Sequence, residues 1–167
     1  MDPVEVVDYD PSWPDQFARL AARVRAAFAD GPLIAVEHVG STSVVGLAAK
    51  PVIDMDVIVP SRGDIPEAIA CLAGLGYVHE GDRGIPGREA FLWPVGTVRH
   101  HLYVCACDNA ELRRQVAFRD YLREHRDEAQ RYEALKRNLA ARFRSDRTAY
   151  SEGKTEFVEA VLKKAQG

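Results

Sequence analysis

Glu37-His38-Val39-Gly40-Ser41-Thr42-Ser43, followed by Ile53-Asp54-Met55-Asp56, is the stretch on which the fold turns. Leu33 to Val39 is rich in β-favouring residues and predicts a strand. It runs into a turn in which Gly40 permits unusual dihedrals and close backbone approach. Ser41, Thr42 and Ser43 supply three hydroxyls, and their amides suit an anion-binding nest. Val52 to Val59 predicts a second strand. Side chains alternate across a strand, so Asp54 and Asp56 share one face with α-carbons about 6.5–7 Å apart. Ile53, Met55 and Val57 take the other face, toward a helix layer.

Two carboxylates that close repel unless a cation or a basic partner intervenes. Mg²⁺, or Mn²⁺ in its place, suits them, because a hard ion prefers oxygen ligands and keeps phosphates in its shell. Asp54 and Asp56 are therefore the candidate metal ligands, and Gly40, Ser41, Thr42 and Ser43 the candidate phosphate turn. Lys50 closes the following segment, Gly46 to Lys50, which reads as a short helical turn ended by Pro51.

Outward from this centre, Ser12-Trp13-Pro14-Asp15 reads as a helix start, with Ser12 as cap and Pro14 in the first turn. The helix runs to about Ala29, with Phe17, Leu20, Ala21, Val24 and Phe28 as its apolar stripe. Asp64 to Leu75 predicts a second helix, buried through Ile65, Ile69 and Leu72 and stopped at Gly76. Tyr77 to Glu80 reads as a strand. Glu89 to Pro94 and Arg99 to Ala106 read as an antiparallel pair joined around Gly96. In Arg99-His100-His101-Leu102-Tyr103, His101 and Tyr103 share a face, and His101 beside the aspartates would ligate metal or move a proton. From Asn109 onward the chain reads as charged helix, with a last helix from about Thr148 to Lys164. There Arg119 and Arg123, and Tyr132 and Lys136, are spaced to share helix faces. Lys50, Arg99 and Lys154 are the cations expected to offset phosphate charge.

The pattern is a mixed sheet flanked by helices, an α/β (α+β) fold with a helical C-terminal region. One domain over 1–167 is expected, with an α/β core to about 107 and helices from about 108. A net charge of -3 and a pI near 6.0 make long nucleic acid a poor partner. No apolar run approaches the roughly 20 residues that span a bilayer, and the start of the chain lacks signal-peptide character. A cytoplasmic protein that does not enter membranes is expected. Three cysteines make no disulfide framework, and Cys105-Ala106-Cys107 is a poor zinc hook.

Several segments together resemble the GrpB family, uncharacterised proteins placed within the nucleotidyltransferase superfamily, some of them fused to dephospho-CoA kinase. They are Tyr9-Asp10-Pro11-Ser12-Trp13-Pro14, Glu37 to Ser43, Ala49 to Val57, Phe118-Arg119-Asp120-Tyr121-Leu122-Arg123, Tyr132-Glu133-Ala134-Leu135-Lys136 and Tyr150-Ser151-Glu152-Gly153-Lys154. The resemblance implies a nucleotidyltransferase-like fold, Gly40 and Ser41 as the phosphate turn, and Asp54 and Asp56 on metal. The chain departs from the pattern in three places. His101 and Tyr103 stand where active enzymes of the superfamily usually carry a third carboxylate. His101-Leu102-Tyr103 replaces the family's usual His-Leu-His, and Val45 replaces a proline. The expected activity is nucleotidyl transfer from a nucleoside triphosphate. The alternative is a non-catalytic nucleotide-binding or accessory module.

Overall fold

The computed structural model describes residues 3–167. Its elements are α1 (Trp13–Phe28), β1 (Ala35–Val39), β2 (Ile53–Val59), α2 (Ile65–Ala73), β3 (Val78–Gly81), β4 (Arg88–Leu92), β5 (His100–Ala106), α3 (Ala110–Glu124), α4 (Arg126–Arg142), α5 (Arg147–Glu152) and α6 (Thr155–Gln166). The contacts divide them into two compact units that interleave along the chain. One contains Ser12–Val39 and Val52–Arg113; the other contains the N-terminal stretch to Pro11, Gly40–Pro51 and Arg114–Gly167.

The unit formed by Ser12–Val39 and Val52–Arg113 holds the whole sheet, in the order β1-β2-β5-β4-β3. The β2–β5 pair is parallel and the other three pairs are antiparallel. Phe17 of α1 stacks on His38 of β1, with ring centroids 4.6 Å apart, which fixes the face that α1 covers. On that face lie Met55, Val57, Leu102 and Val104, all buried, with Leu20, Val24 and Phe28 of α1 and Leu72 of α2 among the buried helix residues. The strand alternation in Ile53-Asp54-Met55-Asp56-Val57 thus divides apolar from acidic side chains as the sequence predicts.

The other unit is helical. One apolar cluster joins Val44, Leu47, Leu122, Ala129 and Tyr132, with Phe118, Leu135 and Phe157 against it. A second joins Val4, Leu139 and Tyr150. Tyr132 stacks on Phe157 at 5.1 Å and meets Phe118 edge-on at 5.2 Å. These are core roles for aromatic residues at helical spacing.

Four local expectations change. Ser12 makes no side-chain cap; its hydroxyl instead accepts from the Gln16 side chain at 2.9 Å. The helical turn near the phosphate motif is a 3-10 turn at Ser41–Ser43, whereas Gly46 to Lys50 is not helical. Ala49 there pairs through its backbone with Val7, because an extended neighbour offers two hydrogen bonds that a short helix before Pro51 would forgo. Ile69 is only partly buried, and Ala68 takes its place on the inner face of α2. The single helix expected from Thr148 to Lys164 is α5 and α6, broken at Gly153-Lys154. A Cβ at Gly153 would lie 2.5 Å from Leu139 Cδ2, so glycine is what lets this corner close onto α4.

Candidate functional site

The strand register builds an acidic face in the sheet unit. Asp54 lies opposite His101 and Asp56 opposite Tyr103 across the parallel β2–β5 pair. Glu37 lies opposite Asp56 across β1–β2. Directly paired residues share a face, so Glu37, Asp54, Asp56, His101 and Tyr103 all project from the side away from α1. Arg88 on β4 joins them through its pairing with Cys105, and its guanidinium stacks on the Tyr103 ring, 3.5 Å from the centroid.

The two aspartates have different environments. Asp54 is partly exposed, and its Oδ1 accepts from His101 Nδ1–H at 2.9 Å. The His101 side chain is 40% exposed, and Nε2 is its other ring nitrogen. Asp56 is 1% exposed. Burial pushes its carboxyl up to about 7; the Arg88 guanidinium works against this, while Asp54, Glu111 and Glu37 add to it. Burial also pushes the Tyr103 phenol up and the Cys105 thiol up to about 12, so both are neutral donors at pH 7.

The adjacent histidine shows the contrast. His100 is buried and fully engaged: Nδ1–H donates to Val98 O at 2.6 Å, and Nε2 accepts from the Tyr77 hydroxyl at 2.7 Å. Burial lowers its pKa and keeps it neutral. It is a core histidine. Arg99, one residue before it, is exposed, and its carbonyl accepts from Ile53 N–H at 3.4 Å.

Gly40, Ser41, Thr42, Ser43, Lys50 and Lys154 belong to the helical unit. Gly40 has φ 74° and ψ -178°, a conformation that is essentially glycine-only. Thr42 and Ser43 are buried, and the Ser43 hydroxyl bonds to Gly40 O. Of the three hydroxyls expected to face phosphate, Ser43 therefore shapes the turn.

The helices hold this segment through its backbone. Arg123 Nε and Nη2 donate to Ser43 O at 3.0 and 2.8 Å. Glu133 Oε1 accepts from Ala48 N–H at 2.7 Å, and Lys136 Nζ donates to Ala48 O at 2.5 Å. Glu133 and Lys136, one helical turn apart, thus grip both polar groups of one residue. Lys50 Nζ and Lys154 Nζ both lie over the Tyr150 ring, at 5.3 and 4.6 Å.

The sequence model of the GrpB protein family matches residues 3–164. The chain belongs to the GrpB family. A UPF0157 protein of Pseudomonas aeruginosa is 41% identical over 98% of this chain and 68% of its own length. The crystal structure of GrpB from Enterococcus faecalis superposes with a TM-score of 0.85 at 34% identity, covering 96% of both chains. A 78-residue stretch, 45% of this chain, is 41% identical to 19% of a dephospho-CoA kinase of Mycobacterium bovis. At the level of fold alone, a structure of the Cid1 poly(U) polymerase with MgGTP bound matches with a TM-score of 0.55 at 13% identity, over 78% of this chain and 42% of that one. The fold is thus α+β and similar to that of nucleotidyltransferases.

What this GrpB face offers a metal follows from its donors. Among the described residues, no group of three or more His, Cys, Asp or Glu side chains is gathered to hold an ion. Two neighbouring carboxylates fit Mg²⁺ only in the form it usually takes with nucleotides, with water and phosphate oxygens completing the shell. The residues missed in the sequence are Glu37 and Arg88 on this face and Glu133 behind the turn; Arg123 and Lys136, placed on helix faces by their spacing, hold backbone carbonyls of the turn segment. Glu37 was legible as the alternate partner of Val39, but its neighbour is set by register. Arg88 sits one residue before the strand start read from the sequence. The lysine and glutamate of α4 look like ordinary surface charges until the fold buries Lys136.

Proposed function

We propose that this GrpB-family protein binds a nucleoside triphosphate as its Mg²⁺ or Mn²⁺ complex and transfers the nucleotidyl group to an acceptor, in the cytoplasm. The observation that carries this reading is the acidic face, on which Asp54 and Asp56 share one side of β2 with His101 bonded to Asp54. Asp54 and Asp56 hold the metal, which supplies charge neutralisation for the phosphates. His101 orients Asp54 through Nδ1, and its Nε2 accepts the proton of the attacking group. The acceptor oxygen bonds to the α-phosphorus as the bond to the bridging oxygen breaks and pyrophosphate leaves. Positioning and electrostatics carry such a reaction. Ser41 and Thr42 contribute amides and hydroxyls to phosphate, on a turn that Gly40 and Ser43 shape; Lys50, Arg99 and Lys154 contribute charge.

The test is a thermal-shift screen of nucleotides and CoA precursors, with and without Mg²⁺ and Mn²⁺, on wild type and Asp54→Asn. Ligand that binds only the native state raises its stability. A metal-dependent shift that Asp54→Asn loses, with pyrophosphate release from the wild type, supports transfer. The same shift without pyrophosphate release favours a second reading, a nucleotide-binding accessory module. That reading is motivated by the two-carboxylate donor set and by the dephospho-CoA kinase match. No shift with any nucleotide overturns both.

A further inference from the structure

A cavity of about 430 Å³ lies beyond the ends of β2 and β5, within the sheet unit. β2 and β5 are the parallel pair of the sheet, and Cys107 N–H donates to Val59 O at 3.0 Å just past their last residues. The segments that leave the two strands, Pro60-Ser61-Arg62 and Asp108-Asn109-Ala110, line the cavity, and Pro86 and Gly87 join them. Open sheets hold ligands in the crevice outside the carboxyl ends of parallel strands, where neighbouring connections part and leave a gap. The volume lies in the range of small-molecule sites.

The polar lining groups are of two kinds. Ser61 and Asn109 are spent within the protein. The Ser61 hydroxyl donates to Asp64 Oδ2 at 2.9 Å, Asn109 Oδ1 accepts from Leu112 N–H at 3.1 Å, and Asn109 Nδ2 donates to Pro86 O at 3.4 Å. Arg62 and Asp108 are exposed, and among the described residues neither side chain makes a hydrogen bond or an ion pair, with the other or with any third group. Exposed arginines elsewhere in the chain close onto acids: Arg83 on Glu80 at 2.8 Å, Arg114 on Glu159 and Arg137 on Asp8 at 2.6 Å. Arg62 is seated differently. A Cβ at Gly87, where φ is 77°, would lie 2.6 Å from Arg62 Nη2 and 2.9 Å from Nε, so the guanidinium rests on bare glycine backbone at the cavity wall.

We infer that this cavity binds a zwitterionic small molecule of the α-amino acid class, with Arg62 taking the carboxylate and Asp108 the ammonium. The guanidinium fork matches a carboxylate through two parallel hydrogen bonds. An ammonium group offers three donors to the acceptor oxygens of Asp108. One cation and one anion on the same cavity disfavour a polyanion, since Asp108 repels each charge that Arg62 attracts. They also disfavour an apolar ligand, which would desolvate both charges and pair neither. The inference goes beyond nucleotidyl transfer, shares no residue with that site and stands without it.

Thermal shift with the common L-amino acids, each at millimolar concentration, followed by isothermal titration of those that act, tests it. At least one is expected to raise the melting temperature of the wild type and of Arg19→Met, which removes an exposed charge of α1. Arg62→Met and Asp108→Asn are each expected to weaken that ligand at least about ten-fold, the scale of a lost charge-assisted hydrogen bond. Two derivatives of the same amino acid probe the unaltered protein, so they bear on the site even where a variant misfolds. The carboxamide, which lacks the carboxylate, and the N-acetyl form, which lacks the ammonium, are both expected to bind at least about ten-fold more weakly. Absence of binding by every amino acid overturns the site, as does full affinity in either variant. Full affinity of the N-acetyl form with loss of the carboxamide overturns the zwitterion assignment in favour of a plain anion site.

Discussion

Replacing Lys136 by Met isolates a pH dependence that burial creates in the helical unit. Lys136 is 2% exposed, and desolvation lowers its pKa from 10.5 to about 7. The unfolded chain therefore binds one more proton than the folded chain between about pH 7 and 10.5. Stability rises with pH wherever the unfolded state holds more protons. For these two values the wild type gains about 2 kcal/mol between pH 7 and pH 9 through Lys136 alone. Other groups titrate nearby: Cys105, Tyr77 and Tyr150, each raised to about 12, lower stability as pH climbs past their ordinary values. Subtracting the Lys136→Met curve removes their contribution. The assay is urea denaturation of both proteins at half-unit steps from pH 6 to pH 9.5. The expected result is a wild-type minus variant difference that is flat below pH 7 and then climbs. A difference constant to within about 0.5 kcal/mol across the range would refute the claim that Lys136 is held in a desolvated setting.

Three further outcomes follow from single contacts. Asp56→Asn should raise the melting temperature at pH 8 without metal and leave it unchanged at pH 3. Its raised pKa means that stability is lost as pH rises from 3.8 to about 7, and the amide removes that loss; equal melting temperatures at pH 8 would contradict it. Gly153→Ala should cost about 1–3 kcal/mol by overpacking against Leu139, measured by denaturation, with Leu139→Ala in the same chain recovering part of the loss. Gly40→Ala should cost about 1–3 kcal/mol, because φ 74° with ψ -178° is strained for any residue with a Cβ; a neutral effect would show that the turn relaxes.

The division between what was legible and what was not follows particular residues. The alternation Ile53-Asp54-Met55-Asp56-Val57 needed only the two-residue period of a strand, and β2 obeys it. The α1 stripe of Leu20, Ala21, Val24 and Phe28 needed only the helical period. The His101–Asp54 bond was legible halfway: the alternation put His101 on one face, but whether that face met the aspartates depended on the parallel β2–β5 register. The break at Gly153 was missed because a lone glycine in a helical pattern reads as a tolerated cost, whereas here it marks a close approach to Leu139. Gly46 to Lys50 was misread because local propensity saw no competitor, while Val7 and the α4 side chains supply backbone partners from far along the chain.

The sequence by itself determined the family, the mixed α+β composition and the pair of aspartates on one strand face, since each depends on local periodicity or contiguous motifs. Only the tertiary structure decided which residues surround that pair. Glu37, Arg88 and Tyr103 reach it through strand pairing across residues distant in sequence, and Lys50, from a non-helical segment, comes to the Tyr150 ring only in the folded chain. Burial likewise belongs to the tertiary level. Asp56 and Lys136 are ordinary charged residues in the chain, and they acquire their shifted protonation only where the fold removes water from them.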